Sequence, residues 1–122
     1  MFVWYIRLEQ FVTNRLMNDF LKLGGLVSCL SEITEQWDSP NGWAPLQWFA
    51  VQVVLKYGYK VETNEMMVRW LTMLEKDFAT RRGLEKYNVV LPENTTGGGE
   101  YQVQQGFGWR NGVTSRFYTL LR

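Results

Sequence analysis

Apolar residues Leu8, Phe11, Val12, Leu16, Phe20 and Leu23 recur at steps of three and four, with Asn14, Asn18, Asp19 and Lys22 between them. That period lines one face of an α-helix, so the spacing predicts an amphipathic helix over residues 8–23, stopped by Gly24-Gly25. A second helix is expected from Pro45, whose missing N–H costs nothing in a first turn. Its buried side would carry Leu46, Phe49, Ala50, Val53, Val54 and Tyr57, and Gly58 would end it. Thr63 and Asn64 read as N-caps of a third helix, with Glu65 in the first turn complementing the helix dipole. Met67, Leu71, Leu74 and Phe78 keep register along it, while Met66, Val68, Trp70 and Met73 lie off that stripe. A helix apolar nearly all round packs on more than one side.

The periodicity then stops. Residues 83–112 hold seven glycines and a proline in thirty positions, and a segment of that length without elements of its own is usually functional or disordered. A short helix over residues 113–121 closes the chain, and only residues 101–104 alternate in the manner of a strand. The pattern of helix, loop, helix, loop places the chain in the all-α class. At 122 residues it has the length of one domain.

Composition removes several chemistries. There is no histidine, which excludes Ser-His-Asp and Cys-His nucleophilic systems and histidine metal sites. The single cysteine, Cys29, forms neither an internal disulfide nor a thiolate metal cage, and its apolar setting reads as a buried filler. Neither metal nor organic cofactor is suggested. Thirteen basic residues against twelve acidic ones leave no cationic field for a polyanion, so nucleic acid is not an expected partner. No run approaches the roughly 20 apolar residues of a membrane span, and the apolar opening is shorter than a secretory leader. Compartment and oligomeric state are left open.

Hydrolytic chemistry therefore falls to Asp and Glu. The glycine-rich segment carries Glu85, Glu93 and Glu100 among Tyr87, Tyr101, Phe107 and Trp109. Carboxylates beside flat rings suit a sugar site, where one group protonates the leaving oxygen, another activates water, and the sugar's C–H face lies on aromatic rings. Gly97-Gly98-Gly99 would let backbone approach a ligand closely. A flexible surface loop with solvated glutamates has the same composition, and spacing alone does not choose between the two. Earlier in the chain, Gln36-Trp37-Asp38-Ser39-Pro40-Asn41-Gly42-Trp43 sets two indoles around a turn signal. Trp37, Trp43 and Trp48 are too large to hide beneath one turn, and belong to a core or to an aromatic-lined pocket.

Three motifs taken together, the Gln36-to-Pro45 run, Glu85-Lys86-Tyr87-Asn88-Val89, and Gly97-Gly98-Gly99-Glu100-Tyr101 with Gly106-Phe107-Gly108-Trp109, resemble the C-terminal signatures of α,α-trehalases. They stand in that family's order and at about its spacing, over roughly residues 12–113. The resemblance implies an inverting glycoside hydrolase on an (α/α)6 toroid that splits trehalose into two glucose molecules. It puts the water-activating general base on Glu85, substrate contact on Glu100 and a wall of the sugar pocket on Trp37. Asp38 and Trp43 are expected to keep shape rather than touch sugar. The family's general acid is an aspartate well upstream of the Gln36 run, and nothing here corresponds to it.

On this reading residues 1–122 are one fragment, the C-terminal part of a trehalase catalytic domain forming part of the toroid, with residues 83–112 as its active-site loop. The implied ligand is trehalose or glucose, and the chain alone is expected to be inactive. Its glycine run is shorter than is usual for the family, Asn88 stands where aspartate is common, and Arg110 replaces a smaller polar residue. Two other readings accommodate the same motifs: a non-catalytic helical sugar-binding or interaction module derived from a trehalase, and a different toroidal α-glycosidase.

Overall fold

The computed structural model describes residues 2–31, 39, 41–81, 86–90 and 108–121, with 2–7, 77–81, 86 and 108–110 as backbone alone. Helix α1 spans Phe2–Arg15 and runs into a π-helical turn, Leu16–Phe20, along which the Arg15 guanidinium meets the Asp19 carboxylate at 2.5 Å. Helical structure ends at Phe20, not at residue 23 as the apolar spacing predicts. The reason lies in the two glycines. Gly25 adopts φ +128°, a conformation closed to most L side chains, and this turns the chain into a tight hairpin of β1 (Leu21–Lys22) against β2 (Gly25–Leu26). The Val27 amide extends the pairing by donating to Phe20 O at 3.0 Å. Cys29 is half-buried rather than buried, and its sulfur accepts from the Ser31 amide.

Strand β3 (Asn41–Trp43) leads directly into helix α2 (Ala44–Lys56). Trp43 is extended at φ −123° and ψ 140°, and Pro45 sits in the first turn, where no intrahelical N–H is missed. The helix closes as a Schellman motif. Gly58 at φ +87° donates to Leu55 O at 3.0 Å and Tyr59 donates to Val54 O at 3.3 Å. Helix α3 (Lys60–Arg81) starts one residue later, a turn earlier than the expected caps. Thr63 is therefore inside the helix, where its hydroxyl donates back to Tyr59 O at 2.7 Å, and it caps nothing. Strand β4 (Lys86–Asn88) pairs antiparallel with β3, and helix α4 (Gly108–Leu121) begins five residues before the expected position 113.

The core lies between α2, α3, α4 and the strand segments. It holds Val51 and Val54 of α2, Met66, Met67, Trp70, Leu71 and Leu74 of α3, Tyr87 and Val89, and Phe117 of α4. The expectation that α3 packs on more than one side is met, although Val68 is exposed. The α2 face is rotated from the expected one: Ala44, Gln47, Val51 and Val54 are buried, while Phe49 is 63% and Val53 40% exposed. Gln47 causes the error, because a polar residue at the centre of the true buried stripe hides it from a hydrophobicity reading. On α1, Leu8 and Phe11 are exposed, as is Leu23 beyond it. The helices carry the packing and the strands are two or three residues long, so the chain is all-α. Among the described residues no helix is long and apolar enough to cross a membrane.

Candidate functional site

The motif segments converge through backbone. β3 is the end of the run that opens on Gln36, and β4 is the middle of the Glu85-to-Val89 element. In the ladder between them Asn41 pairs with Asn88, Gly42 with Tyr87 and Trp43 with Lys86. Two stretches more than forty residues apart in the chain are thus direct hydrogen-bonding neighbours. Asn88, which departs from the family's usual aspartate, lies within this ladder opposite Asn41.

A third segment, residues 24–28, braces the ladder on both strands. The Gly24 amide donates to Val89 O at 2.9 Å, just past β4, and the Ser28 amide donates to Asn41 O at 3.0 Å, joined there by the Ser28 hydroxyl at 3.2 Å. Between them, Gln47 of α2 takes both polar groups of Leu26: its Oε1 accepts from the Leu26 amide at 2.9 Å and its Nε2 donates to Leu26 O at 2.7 Å. Glycine is required where these pieces cross. A Cβ on Gly42 would lie 2.6 Å from Val89 Cγ1 and 2.8 Å from Leu26 O, and one on Gly25 would lie 2.9 Å from the Trp70 ring.

Aromatic side chains wall the node from within. Trp43 is fully buried and Tyr87 nearly so, and the Trp70 and Tyr87 rings meet edge to face at 5.5 Å and 89°. The Trp70 indole Nε1 is buried with no hydrogen-bond partner among the described residues. Burial of Trp43 agrees with a shape-keeping role. The third motif enters the body through α4, whose first residue is Gly108; further along, Phe117 stacks on Trp48 at 6.3 Å and the Arg116 guanidinium lies 5.9 Å from the Trp48 ring. On the same helix the Tyr118 hydroxyl donates to Glu75 Oε1 at 2.5 Å, and this bond to a carboxylate pushes the phenol above its ordinary value. The Arg69 guanidinium pairs with Glu65 on α3 and also donates to Lys22 O at 3.1 Å, fastening α3 to β1.

Glu85, Glu100, Trp37 and Asp38 lie outside the described residues, as do Glu93, Tyr101 and Phe107. The described ladder reaches their neighbours in the chain, Lys86 next to Glu85 and Asn41 three residues beyond Asp38. Sequence reasoning missed Gln47, Asn41 and the close approach at Gly42. A glutamine in the middle of an otherwise apolar helix face was the signal for the first. Among the described residues no group of three His, Cys, Asp or Glu side chains could hold a metal ion.

The Trehalase family model matches residues 5–122, which extends the similarity beyond the 12–113 that the motifs alone covered. The periplasmic trehalases of Salmonella paratyphi B and Salmonella enteritidis are each 42% identical to the chain over 102 residues, 83% of this chain and 18% of theirs. The neutral trehalase of Saccharomyces cerevisiae superposes with a TM-score of 0.76 at 30% identity, covering 96% of this chain and 21% of that structure. The chain thus spans about a fifth of the length of the relatives it matches. Its helices form part of an (α/α)6 toroid of the kind that glycoside hydrolases use. The chain belongs to the trehalase family.

Proposed function

We propose that this chain is the part of an α,α-trehalase that supplies the water-activating base, Glu85, for inverting hydrolysis of trehalose to two glucose molecules. In this reading the ionised Glu85 takes a proton from water as its oxygen bonds to the anomeric carbon. On the opposite face a carboxylic acid protonates the departing glycosidic oxygen, and the two carboxyls stand about 6.5–9.5 Å apart so that water fits between them. That acid comes from a stretch of the enzyme to which no residue here corresponds. An ordinary glutamate, with a pKa near 4.3, is ionised at neutral pH without any special environment, as a base must be. Trp37 offers a ring to the C–H face of one glucose, Glu100 accepts hydrogen bonds from sugar hydroxyls, and the glycine-rich segment between β4 and α4 carries Glu100 to the substrate.

The observation that carries the reading is the β3–β4 ladder. It makes Asn41–Trp43 and Lys86–Asn88, the described parts of those two motifs, direct neighbours, and Glu85 is the residue that precedes Lys86 in the chain. The relatives' identity as periplasmic and neutral trehalases supports the substrate. In a complete enzyme carrying this chain, Glu85→Gln should lower kcat by about 10² to 10⁴ with little change in KM or thermal stability. Normal turnover by that variant would refute the assignment of the base. The 122-residue chain alone should release no glucose from trehalose, and release would show that the acid is present after all.

A further inference from the structure

We propose that Gln47 is a positioning residue for this site, its side-chain amide setting where the β3–β4 ladder, and with it Glu85, sits against the body of the protein. The inference rests on the role given to Glu85 above. Along segment 24–28 the amides alternate in direction: Val27 donates across to Phe20 in the hairpin, so the amides of Gly24, Leu26 and Ser28 share the other edge. Gly24 donates to Val89 O just past β4 and Ser28 to Asn41 O at the start of β3. The middle member, Leu26, gives both its N–H and its C=O to the Gln47 amide, at 2.9 and 2.7 Å. The side chain thus acts as one residue of a strand, presenting C=O and N–H together as a peptide does.

The amide is closely surrounded. A Cβ on Gly25 would lie 3.0 Å from Gln47 Oε1, one on Gly42 would lie 3.3 Å from Gln47 Nε2, and Gln47 itself is 1% exposed. Because Gln47 stands one turn into α2, directly after β3, it links the helix that follows one strand of the ladder to the segment bonded to both strands. Displacement of a catalytic group by about 1 Å can cost 10²-fold in rate, so slack at this clamp should be read as lost turnover.

Gln47→Glu tests the idea in the complete enzyme. Protonated, the new side chain reproduces both bonds, accepting from the Leu26 amide and donating its hydroxyl to Leu26 O. Ionised, it offers only acceptors and opposes the Leu26 carbonyl. Burial raises the pKa of a carboxyl above its ordinary value of about 4.3, so the ratio of kcat for the variant to kcat for wild type should be near one in acid and fall about 10- to 100-fold as pH rises. Taking the ratio cancels limbs common to both enzymes. Gln47→Met, which fills the space without either bond, should be slow at every pH, and KM should move less than kcat in both.

Assays run where near-ultraviolet circular dichroism shows each variant folded. A flat ratio near one, or a loss that vanishes when kcat is expressed per folded molecule, overturns the proposal. Glu85→Gln in parallel separates the two readings. If it abolishes turnover while the Gln47 variants match wild type, the clamp alone is wrong; if it retains turnover, the base assignment falls and the clamp's role with it.

Discussion

Three glycine-to-alanine substitutions separate crowding, backbone strain and helix propensity in one molecule. Gly42→Ala places a methyl 2.6 Å from Val89 Cγ1 and 2.8 Å from Leu26 O, and neither neighbour yields easily. Val89 is β-branched and fully buried, and moving the Leu26 carbonyl loosens the 2.7 Å bond from Gln47. Overpacking of this kind costs about 1–3 kcal/mol, and a backbone contact puts Gly42→Ala near the top of that range, roughly 3 kcal/mol. Gly58→Ala meets nothing within 4 Å, so its cost is only that of φ +87°. That is about 1–2 kcal/mol for the left-handed conformation, less about 0.4–1 kcal/mol from a stiffer unfolded chain. Gly112→Ala lies in α4 in open space and should stabilise by about 0.5–1 kcal/mol, the helix preference for alanine over glycine.

Urea unfolding followed by tryptophan fluorescence reads all three at one protein concentration. With a slope of about 2 kcal/mol per molar, the midpoint should fall by about 1.5 M for Gly42→Ala, fall by under about 0.8 M for Gly58→Ala, and rise by a few tenths for Gly112→Ala. If Gly42→Ala unfolded within about 0.5 kcal/mol of wild type, the close crossing of β3, Leu26 and Val89 would be wrong, and with it the node on which the site is built.

The isolated chain should self-associate, because Leu8 and Phe11 on α1, Phe49 on α2 and Val61 on α3 are exposed, the last at 78%. Sedimentation at several concentrations checks this; a monomer with a single cooperative melt would contradict it. Tyr118 donates to Glu75 and its pKa is raised above the usual 10, so its contribution is complete below about pH 10 and disappears as pH rises through the folded-state value. Tyr118→Phe should therefore cost a small amount at neutral pH, at the low end of about 0.5–1.5 kcal/mol for a hydrogen bond at an exposed site, and flatten the alkaline decline of stability; an unchanged decline would show that the bond is not made.

What the chain's text determined by itself is the all-α class, the Gly58 stop, the multi-sided packing of α3 and, through three short motifs, the family. These are local properties: helical period, φ-permissive glycines, and runs of residues whose order survives without knowledge of the fold. Thr63 looked like a cap because the text shows a hydroxyl before a carboxylate, but the Schellman turn at Gly58-Tyr59 had already set the helix start a turn earlier. Tertiary structure alone decided the pairing of Asn41–Trp43 with Lys86–Asn88 and the rotation of α2 onto Gln47. Strands of three residues leave no alternation to read, and the partners of a buried amide come from segments 21 residues away, so both become visible only when the backbone groups that must be satisfied are traced in space.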